Sequence, residues 1–260
     1  MNHVCLKLIT TGILAAFLSQ SLADDVGLRP GQIVKDELSV GQGQARVAIP
    51  LPSGEWQVFR VDEIEMRVSD PASQHLAPIS LDIHLVQREG RRLVMAMRIQ
   101  ASKDVVPGRI TQLNVHDPCK RKDTLYRNPY DSGGAVVHCL LVNHLVGYLR
   151  GARSGVFADL RNWMMKEGID IPRTALSATF AQSQTRHFLT VTIYVNPATR
   201  DLDATETSWL ANPFHRDLVA NDPARDRYVK DFIAWSEAYM PLISISRPSA
   251  GGIRPVTAFR

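Results

Sequence analysis

The chain has 260 residues, 45% of them apolar and 22% charged, which is enough apolar side chain to bury a core and excludes collagen-like and low-complexity classes. Thirty Lys and Arg against 26 Asp and Glu leave a formal +4 spread along the chain, which does not make the basic patch of a nucleic-acid-binding protein. Arg outnumbers Lys 23 to 7, but Arg46, Arg67, Arg98, Arg153 and Arg186 are scattered rather than gathered on one segment.

Residues 1–23 have the three parts of a secretory signal: Lys7 near the start, an apolar run from Leu8 to Leu18, and Ser21-Leu22-Ala23 ahead of the expected cut. The run is too short to span a bilayer, so a mature chain starting at Asp24 with no transmembrane span is expected, in the periplasm or secreted. Cleavage removes Cys5 and leaves Cys119 and Cys139 as an even pair. In an oxidising compartment these two are expected to form a disulfide, since no CxxC spacing suggests a metal or redox pair.

Residues 24–43 are polar and glycine-rich and are expected to be a leader into the fold. A strand is expected over Ala45–Ile49, ended by Pro50-Leu51-Pro52-Ser53-Gly54, and a longer one from Trp56 to Val68 with a bulge near Asp62-Glu63. Leu81, Ile83 and Leu85 alternate with polar residues, Gly90 marks a reversal, and Leu93, Met95, Met97 and Ile99 alternate back, the pattern of an antiparallel hairpin with one buried face. Ala135–Val146 is expected to be a central strand, followed by an amphipathic helix with Ser154 as its cap, Phe157, Leu160, Trp163 and Met164 on one face and Gly168 as its stop.

A second hairpin is expected from Leu176 through Phe180 to a turn over Gln182–Arg186, returning through Leu189, Val191, Ile193 and Val195. Asp222, Pro223 and the spacing of Tyr228, Phe232, Trp235 and Tyr239 predict a final helix ended by Pro241, and residues 247–260 read as a loose tail. Strands, helix, strands, helix without regular alternation predict an α+β fold with a mainly antiparallel sheet. The globular part, 44–246, is expected to be one domain, or two with a boundary near 101–134.

Asp131-Ser132-Gly133-Gly134 resembles the D-S-G-G around the nucleophile of trypsin-like serine proteases, and His138-Cys139 is similar to their histidine-cysteine pair. The order is reversed relative to that family, and the string also suits a polar turn, so a hydrolase built on Asp131, Ser132, His138 and His144 is kept only as an alternative. Asp201-Leu202-Asp203-Ala204-Thr205 is similar to the D-x-D-x-T signature of haloacid-dehalogenase-type phosphatases, but a loop precedes it and too little chain follows for that fold. His116, His138 and His144 lack an HExxH companion, and neither a metal nor a cofactor is expected.

Trp209, Asn212, Pro213, Phe214 and His215 are aromatic and polar, a composition that suits either a binding surface or a loop packed on the sheet. No P-loop, S-x-x-K or G-x-S-x-G is present. The sequence therefore points to an exported protein of a bacterial envelope that binds an unidentified ligand or partner or serves as an accessory factor, leaning away from an enzyme. The alternatives are the hydrolase above and an inhibitor or immunity-type interaction protein.

Overall fold

A computed structural model of the chain describes residues 27–65, 79–104, 121–131, 137–183, 187–205, 208–243 and 256–259. The fold is α+β, as expected. Ten strands are described: β1 (Ile33–Val34), β2 (Glu37–Val40), β3 (Val47–Pro50), β4 (Trp56–Glu65), β5 (Ile79–Glu89), β6 (Arg92–Ser102), β7 (Tyr126–Asp131), β8 (Val137–Val146), β9 (Thr174–Ser183) and β10 (Phe188–Val195). Eight of them form one antiparallel sheet in the order β1-β4-β5-β6-β10-β9-β8-β7, and β2 pairs with β3 beside it. The two long helices are α1 (Val156–Lys166) and α2 (Pro223–Tyr239).

Strands from both sides of residues 101–134 lie in this sheet, because β6 pairs with β10 from Met95–Val195 to Ala101–Leu189. Both expected hairpins form, β5–β6 around Gly90 at φ +57° and β9–β10 with Ser183 opposite Phe188. Alternation sends one set of side chains to each face. On the first face a single row across six strands reads Val61, Ile83, Ile99, Val191, Phe180 and Leu140; the last five belong to the main hydrophobic core, and Val61 packs against it partly buried.

Helix α2 covers that face. Asp222 caps it by accepting from the Ala224 and Arg225 amides, Pro223 takes the first position, and Tyr228, Val229, Phe232, Ser236 and Tyr239 are buried. Phe180 meets the Tyr239 ring edge-on at 5.3 Å, and the Tyr239 hydroxyl donates to the Pro50 carbonyl, tying the helix to β3. On the opposite face α1 packs Leu160 and Met164 against Val86, Ala96 and Tyr194. Its N-cap is Gly155, with no side-chain cap, where Ser154 was expected; Gly168 ends it at φ +65° as expected.

Four further expectations change. The stretch 24–43 contains β1 and β2, because Leu28, Leu38 and Val40 are apolar anchors that reach the core from a polar background. The irregularity in β4 falls between Val58 and Arg60 rather than at Asp62-Glu63, since Asp62 and Glu63 keep regular partners in Asp82 and Leu81. β8 is the last strand but one, because residues Tyr126–Asp131, inside the expected cysteine loop, form the edge strand β7; Pro129 suits an edge, where a missing amide goes unmissed. In the expected tail, Val256 bridges to Pro52 and Phe259 packs on Tyr228, Phe232 and Trp235, so these residues close the core. The signal at 1–23 and residues 247–255 lie outside the described residues. Among the described residues no helix is long and apolar enough to cross a membrane.

Candidate functional site

The second face of the sheet differs from the first in every strand. Register alone places Arg60, His84, Arg98, Thr192, Thr179 and Leu141 in one row across β4, β5, β6, β10, β9 and β8. The next row carries Asp62, Asp82, Gln100 and Thr190, and a third carries Tyr194, Ser177 and Asn143.

One end of this surface is charged and closed. The Arg98 guanidinium is bidentate on Asp82, with Nε donating to Oδ1 at 2.8 Å and Nη2 to Oδ2 at 2.6 Å. His84 Nε2 lies 3.0 Å from Asp82 Oδ1 but off the line a hydrogen bond needs. Asp82 and His84 are buried at this point, whereas the Arg98 side chain keeps 28% of its surface. Burial alone pushes the Asp82 carboxyl up; Arg98 and His84 outweigh it and hold it at about 2. The Phe157 ring of α1 covers His84 edge-on at 6.4 Å, and Asp159 of the same helix pairs with Arg60 at 2.6 Å.

The other end is polar and open. Beyond α1 the sheet floor forms a groove of about 490 Å³ lined by Gln100, Thr190, Thr192, Thr179, Ser177 and Asn143. Tyr194, stacked on Tyr148 at 5.3 Å, lines the groove, and Arg121 and Thr124 line it from the segment ahead of β7. The Thr179 and Thr192 hydroxyls meet at 3.2 Å, and Ser177 Oγ reaches the Asn143 carbonyl at 3.4 Å. Gln100 and Thr190 sit opposite each other on β6 and β10, and their side-chain polar groups have no protein partner among the described residues. Arg121 is the charged residue of the lining, and Asp123 neutralises it through bonds of 3.2 and 3.0 Å. With Leu141, Leu145 and Tyr194 also in the lining, the groove presents hydroxyl and amide groups set among apolar side chains, with almost no net charge.

The residues singled out from the sequence fall elsewhere. Ser132, Cys119 and His116 lie outside the described residues. Asp131 pairs with Val137 at the hairpin end of β8, with His138 next along, and burial lowers the His138 imidazole from its ordinary value. His144 is six residues past His138 on the same strand, roughly 20 Å away at about 3.3 Å per residue, so the two cannot serve one reacting atom or one metal ion. Among the described residues no group of three or more His, Cys, Asp or Glu is placed to hold a metal.

His144 instead meets the aromatic segment. Trp209 stacks on it at 3.9 Å, His215 contacts it edge-on at 5.6 Å, and its Nε2 donates to the Trp209 carbonyl at 3.2 Å. Burial, with a smaller contribution from His215, lowers its imidazole to about 4 against the opposing Trp209 bond. Asn212 is fully buried; its amide donates to Thr174 Oγ1 at 2.9 Å and its carbonyl accepts from the Phe214 amide at 3.0 Å. Trp209, Asn212 and His215 thus come together with His144 as a packed cluster held by these bonds, in which His144 Nδ1 is buried with no hydrogen-bond partner among the described residues. Asp203 of the D-x-D-x-T string accepts from the adjacent Ala204 amide, and Asp201 sits at φ +56° after a 3₁₀ turn, both turn roles.

Sequence reasoning missed the groove because Ser177, Thr179, Thr190 and Thr192 look like the solvent-facing half of ordinary hairpins. The available signal was the hydroxyl run on both arms of one hairpin, with Asp82, His84 and Arg98 at the equivalent positions of the other. The chain matches no protein family, no curated protein and no solved structure.

Proposed function

We propose that this chain is an exported, non-catalytic binding protein of the bacterial envelope, periplasmic or secreted, whose ligand lies in the groove over β6, β10, β9 and β8. The observation that carries the reading is a concave floor of mixed polar and apolar side chains left uncovered by α1, with the Gln100 and Thr190 side chains unpartnered among the described residues. Its near-neutral lining favours an uncharged, hydrogen-bonding ligand such as a glycan or a peptide backbone. The signal at 1–23 and a Cys119–Cys139 bridge belong to the same reading; Cys139 is buried on β8, and a bridge there would anchor the loop ahead of β7 that supplies one rim.

Titration with neutral oligosaccharides and tripeptides, followed through the amide signals of residues 177–179 and 190–194, tests it. Saturable shifts confined to those residues, lost in Gln100→Ala with Thr192→Val, are expected. Shifts elsewhere, or none from either set, would sink the groove as the binding site.

A second reading, a hydrolase using Ser132 with His138, is favoured by the register that puts His138 one residue from the hairpin end. Fluorophosphonate labelling that disappears in Ser132→Ala would establish it, and absence of labelling leaves the binding reading in place.

A further inference from the structure

We propose a second ligand site, separate from the groove and not resting on it: an arginine pocket for a phosphate-type oxyanion at the end of the sheet where β6 begins and β10 stops. A cavity of about 310 Å³ is lined there by Arg92, Arg150 and Arg173, from the start of β6, the turn after β8 and the residue before β9. Residues dispersed in the sequence are thus gathered in space.

The walls are fastened by hydrogen bonds within the protein. The Asp170 amide donates to the Arg91 carbonyl at 2.7 Å, the Gly147 amide to the Arg173 carbonyl at 2.9 Å, and the Asn196 amide to the Val94 carbonyl at 3.1 Å. Arg150 Nη2 donates to the Ile171 carbonyl at 3.1 Å, joining the turn to the segment before β9. At the floor, buried Asn196 has Nδ2 on the Leu93 carbonyl at 2.8 Å and Oδ1 on the Ala198 amide at 3.0 Å. A ligand entering this pocket meets a frame already ordered, which lowers the entropy cost of binding.

The charge is unbalanced. Among the described residues Arg92 and Arg173 have no ion-pair or hydrogen-bond partner for their guanidinium groups, and Arg150 spends its donors on a neutral carbonyl. Two carboxylates line the cavity, but Asp170 is 3.5 Å from Arg91, an arginine outside the lining, and Asp203 Oδ1 accepts from the Ala204 amide. The free forks of Arg92 and Arg173, with the positive charge of Arg150 beside them, match the several oxygens of a tetrahedral oxyanion better than the two of a carboxylate. The volume leaves room for a ring-sized group beside the anion. The ligand class is therefore a phosphomonoester, free or as a lipid headgroup.

The test uses the full mature chain and two double variants of equal charge change: Arg92→Gln with Arg173→Gln in the pocket, and Arg153→Gln with Arg227→Gln outside it. Glucose 1-phosphate is titrated by calorimetry, and flotation is compared for phosphatidylcholine vesicles with and without phosphatidate. Saturable binding of the sugar phosphate, or flotation that needs phosphatidate, is expected from wild type and the outside variant. The pocket variant should lose at least tenfold. Soluble binding alone identifies a free ester, and phosphatidate dependence alone identifies a headgroup. In wild type the phosphate should also move the amide signals of Asp170, Ile171, Arg173, Asn196 and Ala198, a readout that needs no variant. No saturable binding to either probe, equal loss in both doubles, or shifts elsewhere would overturn the site.

Discussion

The two faces of the eight-stranded sheet are made by alternate residues of the same strands, yet one is a core and the other is a core only in part. Under α2 the row from Val61 to Leu140 is apolar throughout and is packed beneath α2 and residues 256–259. Under α1 the row from Arg60 to Leu141 starts in charge, passes through two threonines and is covered by α1 at its charged end. The first face supplies stability through apolar area removed from water. The second is more polar and contributes less to stability.

Adjacent residues of β9 give the sharpest test of that contrast. Phe180→Ala should cost about 3–5 kcal/mol in urea denaturation, because it opens a cavity against Tyr239 in the main core. Thr179→Ala, one residue away on the open face, should cost less than about 1 kcal/mol. Similar losses at the two positions would erase the distinction between the faces.

The charged end of the second face should behave like a core despite its polarity. Arg98→Met leaves the buried Asp82 carboxylate without its bidentate partner, at a cost of about 3 kcal/mol at neutral pH. Adding Asp82→Asn should recover most of that loss in the same denaturation experiment. A neutral Arg98→Met would mean that the pair is solvated rather than buried.

At the end of β8 the expected effect appears on acidification. The folded His144 imidazole titrates near 4 against 6.5 for its ordinary value, so the unfolded chain takes up the proton first. Its contribution is complete above pH 6.5 and is lost as pH falls from 6.5 toward 4, by about 3 kcal/mol between pH 7 and pH 4. Urea midpoints of wild type and His144→Phe should converge as pH falls through that window; parallel curves would show that His144 is not buried neutral. The smallest effect belongs to the groove: Thr192→Val should shift stability by no more than about 0.5 kcal/mol, measured by thermal melting, because its hydroxyl meets Thr179 at a partly exposed site.

Legibility followed the range of the interaction. The β5–β6 and β9–β10 hairpins and α2 were readable because alternation, the reversal at Gly90 and the Asp222-Pro223 cap are local patterns. β7 was not, since Tyr126–Asp131 carries a proline and little alternation and becomes a strand only because β8 offers it a partner. Docking of Val256–Phe259 was hidden for a related reason: Phe259 becomes apolar core only when α2 brings Tyr228, Phe232 and Trp235 to it.

By itself the sequence determined the α+β class, the two hairpins and the capped helix, because these depend on contacts a few residues apart. Tertiary structure alone decided the rest of the site. It laid Thr192 beside Arg98 and Thr179, and gathered Arg92, Arg150 and Arg173 around one cavity. Those meetings depend on strand order and register across the sheet, which no local pattern carries, because a strand's alternation says which residues share a face but not which strand lies beside it.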